Sequence, residues 1–383
     1  MSKSIFHLLL ILPGQVACGA LMFQMEPLRF DLLERFGITN TQSGLLLSQF
    51  IIGQMISSFF AASISRRIGL RMTYLLGAAI AMLAAGLLIV STDFKIMAGL
   101  RFVLGFGIGI QFVMGGAYVF LFCQPSSRAL CQGIFGACFN LGSGAIFLFS
   151  QIGTSVDRWT LVRFAPPVLL AFSTMAFAAF ADTAAKAPGS APPHYFGLLR
   201  RRPLLALSVA MFGSWGTFVV LGHWLSAYLV TAFAAHLGSS TIATGVILLF
   251  SAFGRAAGGA ITPFNQERSF ILLFLVIATA AGIVMWLAGA SSGAVAMVSV
   301  AAIVMITTSS MCFGPILAMI PRYFDGAERD AAISVVLAMA MALTTAIAPV
   351  LGAFLDGGAQ RAEISSLLVV AIPFVATIFS LLL

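Results

Sequence analysis

The chain has 383 residues, 60% of them hydrophobic and 8% charged, with a formal net charge of +8. A soluble domain carries about 25% charged residues, so this composition excludes one and marks an integral membrane protein. Nucleic-acid binding is excluded too, because the basic residues sit in short breaks between apolar runs, where charge bias sets orientation in a bilayer.

Apolar runs of about 20 residues suffice to cross roughly 30 Å of hydrocarbon. By that measure the sequence predicts twelve transmembrane helices, near 5–26, 42–64, 72–91, 95–121, 130–152, 161–181, 203–231, 241–262, 270–290, 294–318, 331–355 and 364–383. The first run, Lys3 followed by apolar residues, mimics a signal peptide. It continues to Met25, however, which is longer than a cleaved core. At helical spacing it places Gln15, Met22 and Glu26 on one face.

The second run has a polar start, TQSG, and ends in a basic turn holding Ser65, Arg66, Arg67, Gly69 and Arg71. Its pattern returns later in the chain. Gly44, Gly53 and Gln54 recur 201 residues on as Gly245, Gly254 and Arg255, and Arg128 recurs as Arg329. A shared offset of this kind predicts a duplicated helical bundle.

The fourth run carries Arg101 about seven residues from its start, roughly 10 Å deep at 1.5 Å per residue. An unpaired Arg at the bilayer centre costs on the order of 3 kcal/mol or more, so Arg101 should face protein or water. It is either an anion ligand or coupling group, or one half of an ion pair with Glu26. Gly105 and Gly109, which follow it, make a small-residue face for close helix packing. With no strand before them, Gly105, Gly107 and Gly109 are not a nucleotide loop.

Asn140, Gly144 and Gln151 align on the fifth run, Ser208, Trp215, Gly222 and Ser226 on the seventh, and the tenth holds a polar run from Thr307 to Ser310. Together these stripes predict a water-accessible cavity. Taken singly, each is also compatible with an interhelical hydrogen bond worth about 0.6 kcal/mol. Residues 182–202, rich in Ala, Pro and Gly and closed by Arg200, Arg201 and Arg202, read as a linker. A surface helix over 194–199 is one reading of its end, a solvated tether the other. His223, beside Trp224, is a proton relay or an interfacial polar anchor, the anchor being favoured. Arg255, in the eighth run, is a substrate contact or an Arg snorkelling to the interface.

Five cysteines without a CxxC pair read as inert thiols, and the four histidines lack metal-ligand spacing. With the N-terminus in the cytoplasm, the inner breaks hold 12 of the 20 Lys and Arg and the outer breaks 6, with Arg101 and Arg255 inside the membrane. Both termini are then cytoplasmic.

Twelve spans in two sets of six, a central linker and a basic turn after the second span resemble the major facilitator superfamily over essentially the whole chain. The family signature of that turn is Gly-x-x-x-Asp-Arg-x-Gly-Arg-(Arg/Lys). Here Arg66, Gly69 and Arg71 match it, and Ser65 replaces the Asp that helps latch the halves together. Ser65 is left with the lesser role of capping a helix end. RFVLGFGIG, from Arg101, is similar to the family's Arg-then-glycine helix 4, and APVLGAF to a pattern of its helix 11, Pro349 then Gly352. The fifth span keeps the antiporter spacing of Gly133 and Gly142 but lacks the Gly-Pro pair.

The resemblance implies an all-α membrane fold of two pseudo-symmetric six-helix bundles, 1–181 and 203–383, joined by a cytoplasmic linker at 182–202. It implies a monomeric, cofactor-free transporter in the plasma (inner) membrane, whose halves rock about a small-molecule substrate. Arg101, Arg255, Glu26, Gln15, Asn140 and Trp215 are the candidate substrate or coupling residues. Ser65, Arg66, Gly69, Arg71, Arg128 and Arg329 are the candidate gating residues. Buried arginines outnumber buried acids, so an anionic or amphipathic organic solute is expected. The alternative is a proton-driven exporter of lipophilic compounds with Glu26 as proton carrier. Import and export stay open. An enzyme or a sensor is disfavoured, because the cytoplasmic breaks offer mainly Arg and Ser, with Asp325, Glu328 and Asp330 their one acidic cluster.

Overall fold

The computed structural model describes residues 3–124, 127–152, 157–182, 195–262, 266–289 and 295–383. Most of the linker, 183–194, including Lys186 and His194, lies outside the described residues, as do the side chains of Lys3 and Asp330. Every described element is a helix. The first half of the chain forms α1 (Lys3–Phe23), α2 (Arg29–Phe36), α3 (Asn40–Ile68), α4 (Leu70–Val90), α5 (Phe94–Phe122), α6 (Arg128–Phe149) and α7 (Arg158–Phe180). A single turn, α8 (Tyr195–Leu198), precedes the second half. That half forms α9 (Arg202–Phe233), α10 (Leu237–Ile261), α11 (Glu267–Gly289), α12 (Val295–Met311), α13 (Phe313–Tyr323), α14 (Gly326–Thr345), α15 (Ile347–Asp356) and α16 (Ala359–Ser380).

Twelve spans among the described residues are long and apolar enough to cross a membrane. They fall on the predicted runs, with three differences. A short helix, α2, fills the connection after the first span. The tenth and eleventh spans are each broken in two, at Cys312 and at Ala346. Proline explains both breaks, since it lacks the N–H of the helical ladder and its ring clashes with the carbonyl four residues back. Pro315 lies three residues beyond Cys312 and Pro349 three beyond Ala346. The carbonyl of Thr345, which Pro349 leaves without its helical donor, accepts a hydrogen bond from Ser48 Oγ at 2.6 Å. The kink in the second half is thereby tied to α3 in the first.

Helix starts follow local chemistry. Thr39 and Gln42 form a reciprocal capping box at the start of α3. Asp93 and Asp157 cap α5 and α7 by accepting from the backbone N–H groups of Ile96 and Thr160. Gly69 joins α3 to α4 with φ +84°, a backbone conformation that disfavours any side chain.

The 201-residue repeat proves to be a repeat of contacts. Gly44 abuts the carbonyl of Ala348, and Gly245 abuts Phe147; 147 and 348 are themselves 201 apart. Gly53 abuts the carbonyl of Phe102 and the amide of Phe106, and Gly254 the carbonyl of Thr307, with 106 and 307 again at the repeat offset. The duplicated glycines therefore close duplicated helix crossings. Gly44 and Gly245 serve the two seams between the halves, α3 on α15 and α10 on α6. Gly53 and Gly254 serve packing within each half.

A Cβ on Gly53 would lie 2.1 Å from the Phe102 carbonyl oxygen, and one on Gly254 would lie 2.4 Å from that of Thr307. Gly53→Val and Gly254→Val are expected to destabilise the protein by about 1–3 kcal/mol each. At Gly99 a Cβ meets nothing within 4 Å, so Gly99→Ala should be neutral or slightly stabilising. Thermal unfolding of the purified protein in detergent checks all three.

Candidate functional site between the halves

Arg255 sits in the last third of α10 with none of its surface exposed. The snorkelling alternative is therefore overturned. Its guanidinium lies 4.4 Å from the ring centre of Phe313 and 5.5 Å from those of Trp215 and Phe218. One nitrogen, Nη1, donates to the carbonyl of Gly136 at 3.3 Å, across the seam on α6. The other two, Nε and Nη2, are buried without a hydrogen-bond partner. No carboxylate among the described residues forms an ion pair with it. The aromatic faces offer cation–π attraction of about 2 kcal/mol when desolvated. That offsets part of the cost of burying a charge, but it satisfies no N–H.

Neighbouring polar groups are in the same condition. Asn140, one turn beyond Gly136 on α6, donates to Ser251 Oγ at 3.0 Å, one turn before Arg255 on α10. Its own carbonyl oxygen has no partner. The indole N–H of Trp215 on α9 is likewise unpartnered, and its ring packs on Phe139 and Phe218. Gln15 on α1 is fully buried with both amide atoms unsatisfied. It approaches Gly115, against which Phe135 also packs. Phe112 bridges Phe135 to Phe139, completing an aromatic path from Gln15 to Trp215. Where the polar stripes predict a water-accessible cavity, these residues form a closed, buried seam. Small residues make that closure possible, since Gly133 and Gly136 bring α6 against the backbone and side chain of Arg255.

Arg101 has a different environment. It is fully buried and donates to the carbonyls of Leu21 at 2.8 Å and Met22 at 2.6 Å, in the last turn of α1, with its guanidinium over Phe50. The last four carbonyls of a helix lack intrahelical partners and carry its negative end, so Arg101 caps α1. The ion pair with Glu26, one of its two readings, is not formed. Glu26 instead holds Arg29 at 2.6 Å and His223 Nδ1 at 2.9 Å. His223 is 2% exposed, which overturns its reading as an interfacial anchor. Burial alone would raise the Glu26 carboxyl, but His223 and Arg29 beside it reverse that and hold it down at about 2.

This end of the bundle is closed at a second point. Asp356, at the end of α15, accepts from the backbone N–H of Asn40 and Thr41 and from both their side chains, at 2.7–3.0 Å. A carboxylate from one half thus caps the first turn of α3 in the other.

At the opposite end, the gating candidates make mostly local contacts. Arg66 donates to Ser63 Oγ at 2.9 Å, and Arg71 to the carbonyl of Ala178. Ser65 is buried, but its hydroxyl has no partner and caps nothing, contrary to expectation. Arg128 and Arg329, the repeat-related pair, both lie over the ring of Phe120, at 4.2 Å and 5.7 Å. Phe120 and the Arg29–His223 contact carry no charge-pattern signal that sequence reading could have used.

A family model described as Major Facilitator Superfamily matches residues 16–349. The chain belongs to the major facilitator superfamily. No curated protein gives a significant match. The superfamily consists of membrane secondary transporters rather than enzymes, and its members bind small-molecule substrates. This superfamily member is accordingly a multi-pass membrane transporter.

Replacing Arg101 by Gln removes two charge-assisted hydrogen bonds from the end of α1 and should destabilise the protein by about 2 kcal/mol or more. The loss is expected without any solute present, and thermal unfolding in solute-free detergent measures it.

Proposed function

We propose that the chain transports a small organic monocarboxylate, or a comparable amphipathic anion, held at Arg255 between the two halves. One observation carries this reading: a fully buried guanidinium with two unpartnered N–H edges and no ion-pair partner among the described residues. Nε and Nη2 form one side of the guanidinium, the side that receives a single carboxylate bidentately. Nη1 is already committed to Gly136. Such a site suits one negative charge and leaves a second charge on the same solute without a partner. The aromatic rings around Arg255 suit an apolar body, and Trp215, Asn140 and Gln15 supply the few polar groups that orient it.

In this reading the N-terminus is cytoplasmic, residues 1–181 and 203–383 are the moving halves, and 182–202 tethers them. The Glu26–Asp356 end is then external. The halves meet at the Glu26–Asp356 end and along the buried seam at Arg255, as in a closed step of alternating access. Arg101 serves as a structural cap rather than a substrate ligand. The proton-driven exporter of lipophilic compounds is the weaker alternative, because Glu26 is engaged with Arg29 and His223 rather than with the seam.

Removing one partner of a buried charge pair costs about 2–5 kcal/mol. Arg255→Gln should therefore lower saturable monocarboxylate uptake into proteoliposomes by about 30-fold or more. Arg255→Lys should retain part of it, and the matching neutral amide should not compete. Equal uptake by wild type and Arg255→Gln would contradict the proposal.

A further inference from the structure

Glu26, Arg29 and His223 form a cluster that bridges the halves and that anion binding at Arg255 does not use. Arg29 is 2% exposed, His223 2% and Glu26 6%. Arg29 Nη2 lies 2.6 Å from Glu26 Oε2, 2.6 Å from His223 Nδ1, 3.0 Å from Nε2 and 2.6 Å from the His223 carbonyl oxygen. His223 Nδ1 lies 2.9 Å from Glu26 Oε1. The other groups that face this cluster are the backbone of Ala348 in α15, against the His223 ring, and the charge of Arg101 in α5, which acts on Glu26.

The cluster joins the connection after α1 to α9, and through Ala348 it reaches the α3–α15 seam, where Gly44 abuts the same residue. Halves that part at this end must break these contacts. The balance of charge then matters. With a neutral ring, one carboxylate opposes one guanidinium, and the ring has one nitrogen that donates and one that accepts, between Glu26 and Arg29. A proton added to the ring puts a second cation against Arg29 with a single carboxylate between them. A proton added to Glu26 leaves Arg29 without its counter-charge. Either is costly in a site this dry, because buried charges need partners.

We propose that this cluster is a proton-binding site that gates the end of the transporter bearing it, locked when the ring is neutral and opened when a proton is bound. The inference goes beyond the reading of Arg255 and does not depend on it. It borrows only the orientation given above, by which this end is external. An exposed imidazole titrates near pH 6.5. That value belongs to the ring once the gate is open, so closure is complete above that range and weakens progressively as the pH falls below it. His223 supplies the switching proton site. Glu26, ionised throughout this range, supplies the fixed charge, and Arg29 makes a second cation intolerable. A gate of this sign admits solute from outside when the exterior is acidic.

The test reads the gate directly, without solute. Glu34 in α2 and Ser239 in α10 are exposed and lie at this end in opposite halves. Glu34→Cys and Ser239→Cys, in a background with the five native cysteines replaced, carry spin labels for distance measurement by double electron–electron resonance in liposomes. Lowering the pH from about 7.5 to about 5.5, across the imidazole range, should move population from the short to a longer label distance. His223→Gln, which cannot take the proton, should abolish the pH response. Arg29→Met should reverse it, because a protonated His223 can then pair with Glu26 alone and acid tightens the gate. The proposal is overturned by a wild-type distance that ignores pH, by a His223→Gln response equal to that of wild type, or by Arg29→Met opening with acid as wild type does. The Arg29→Met arm stands alone if His223→Gln does not fold. Since no solute is present, failure here leaves the Arg255 uptake result unaffected, and the converse holds.

Discussion

A buried guanidinium without a counter-charge among the described residues is the constraint around which this structure is arranged. Arg255 lies where α10 of one half meets α6 of the other, and two of its three nitrogens are unsatisfied. An uncompensated charge in a dry interior is tolerated only where something else is gained. Three aromatic rings and one carbonyl soften its burial, and none of them neutralises it. On the proposed reading an anion or water relieves that strain once the halves part, which links binding to movement through one side chain.

The same logic runs along both seams. Glycines and other small residues let helices of opposite halves touch backbone to backbone, and such contacts hold few side chains in fixed interlock. Specific polar contacts lie at the ends and beside Arg255, where Asn140 donates to Ser251 and Arg255 to the Gly136 carbonyl. Asp356 caps α3 across one seam, and Ser48 takes the carbonyl that the Pro349 kink frees. Glu26, Arg29 and His223 fasten the connection after α1 to α9. At the far end, Phe120 lies under both Arg128 and Arg329.

The fold was legible because its signals are long and periodic. Twelve apolar runs, one basic turn and a 201-residue repeat carry the architecture, and each depends only on residue type and spacing. The repeat even identified the right glycines, since duplicated crossings need a missing Cβ at duplicated positions. The site was partly legible. A charged residue inside an apolar run marks itself, so Arg101 and Arg255 stood out. Their partners did not, because partnership is set by tertiary contact. Depth alone leaves Arg101 either an anion ligand or a partner of Glu26, whereas α1 ends early and presents its own carbonyls at that level. His223 looked interfacial because it neighbours Trp224, yet α9 is the most enclosed of the spans and buries both. Arg29 lies in a break between apolar runs, where a basic residue ordinarily signals orientation, and nothing in sequence marks it as buried.

Direct binding at Arg255 is the sharpest measurement of this account. Trp215 lies 5.5 Å from that guanidinium, so a protein in which the other three tryptophans are replaced by Phe reports on the site through its fluorescence. Titration with an aromatic monocarboxylate should change Trp215 emission saturably, the corresponding amide should not, and Arg255→Gln should remove the response. An amide that binds as tightly as its acid, or a saturable acid response that survives Arg255→Gln, would contradict the claim that this unpaired cation is the anion's site.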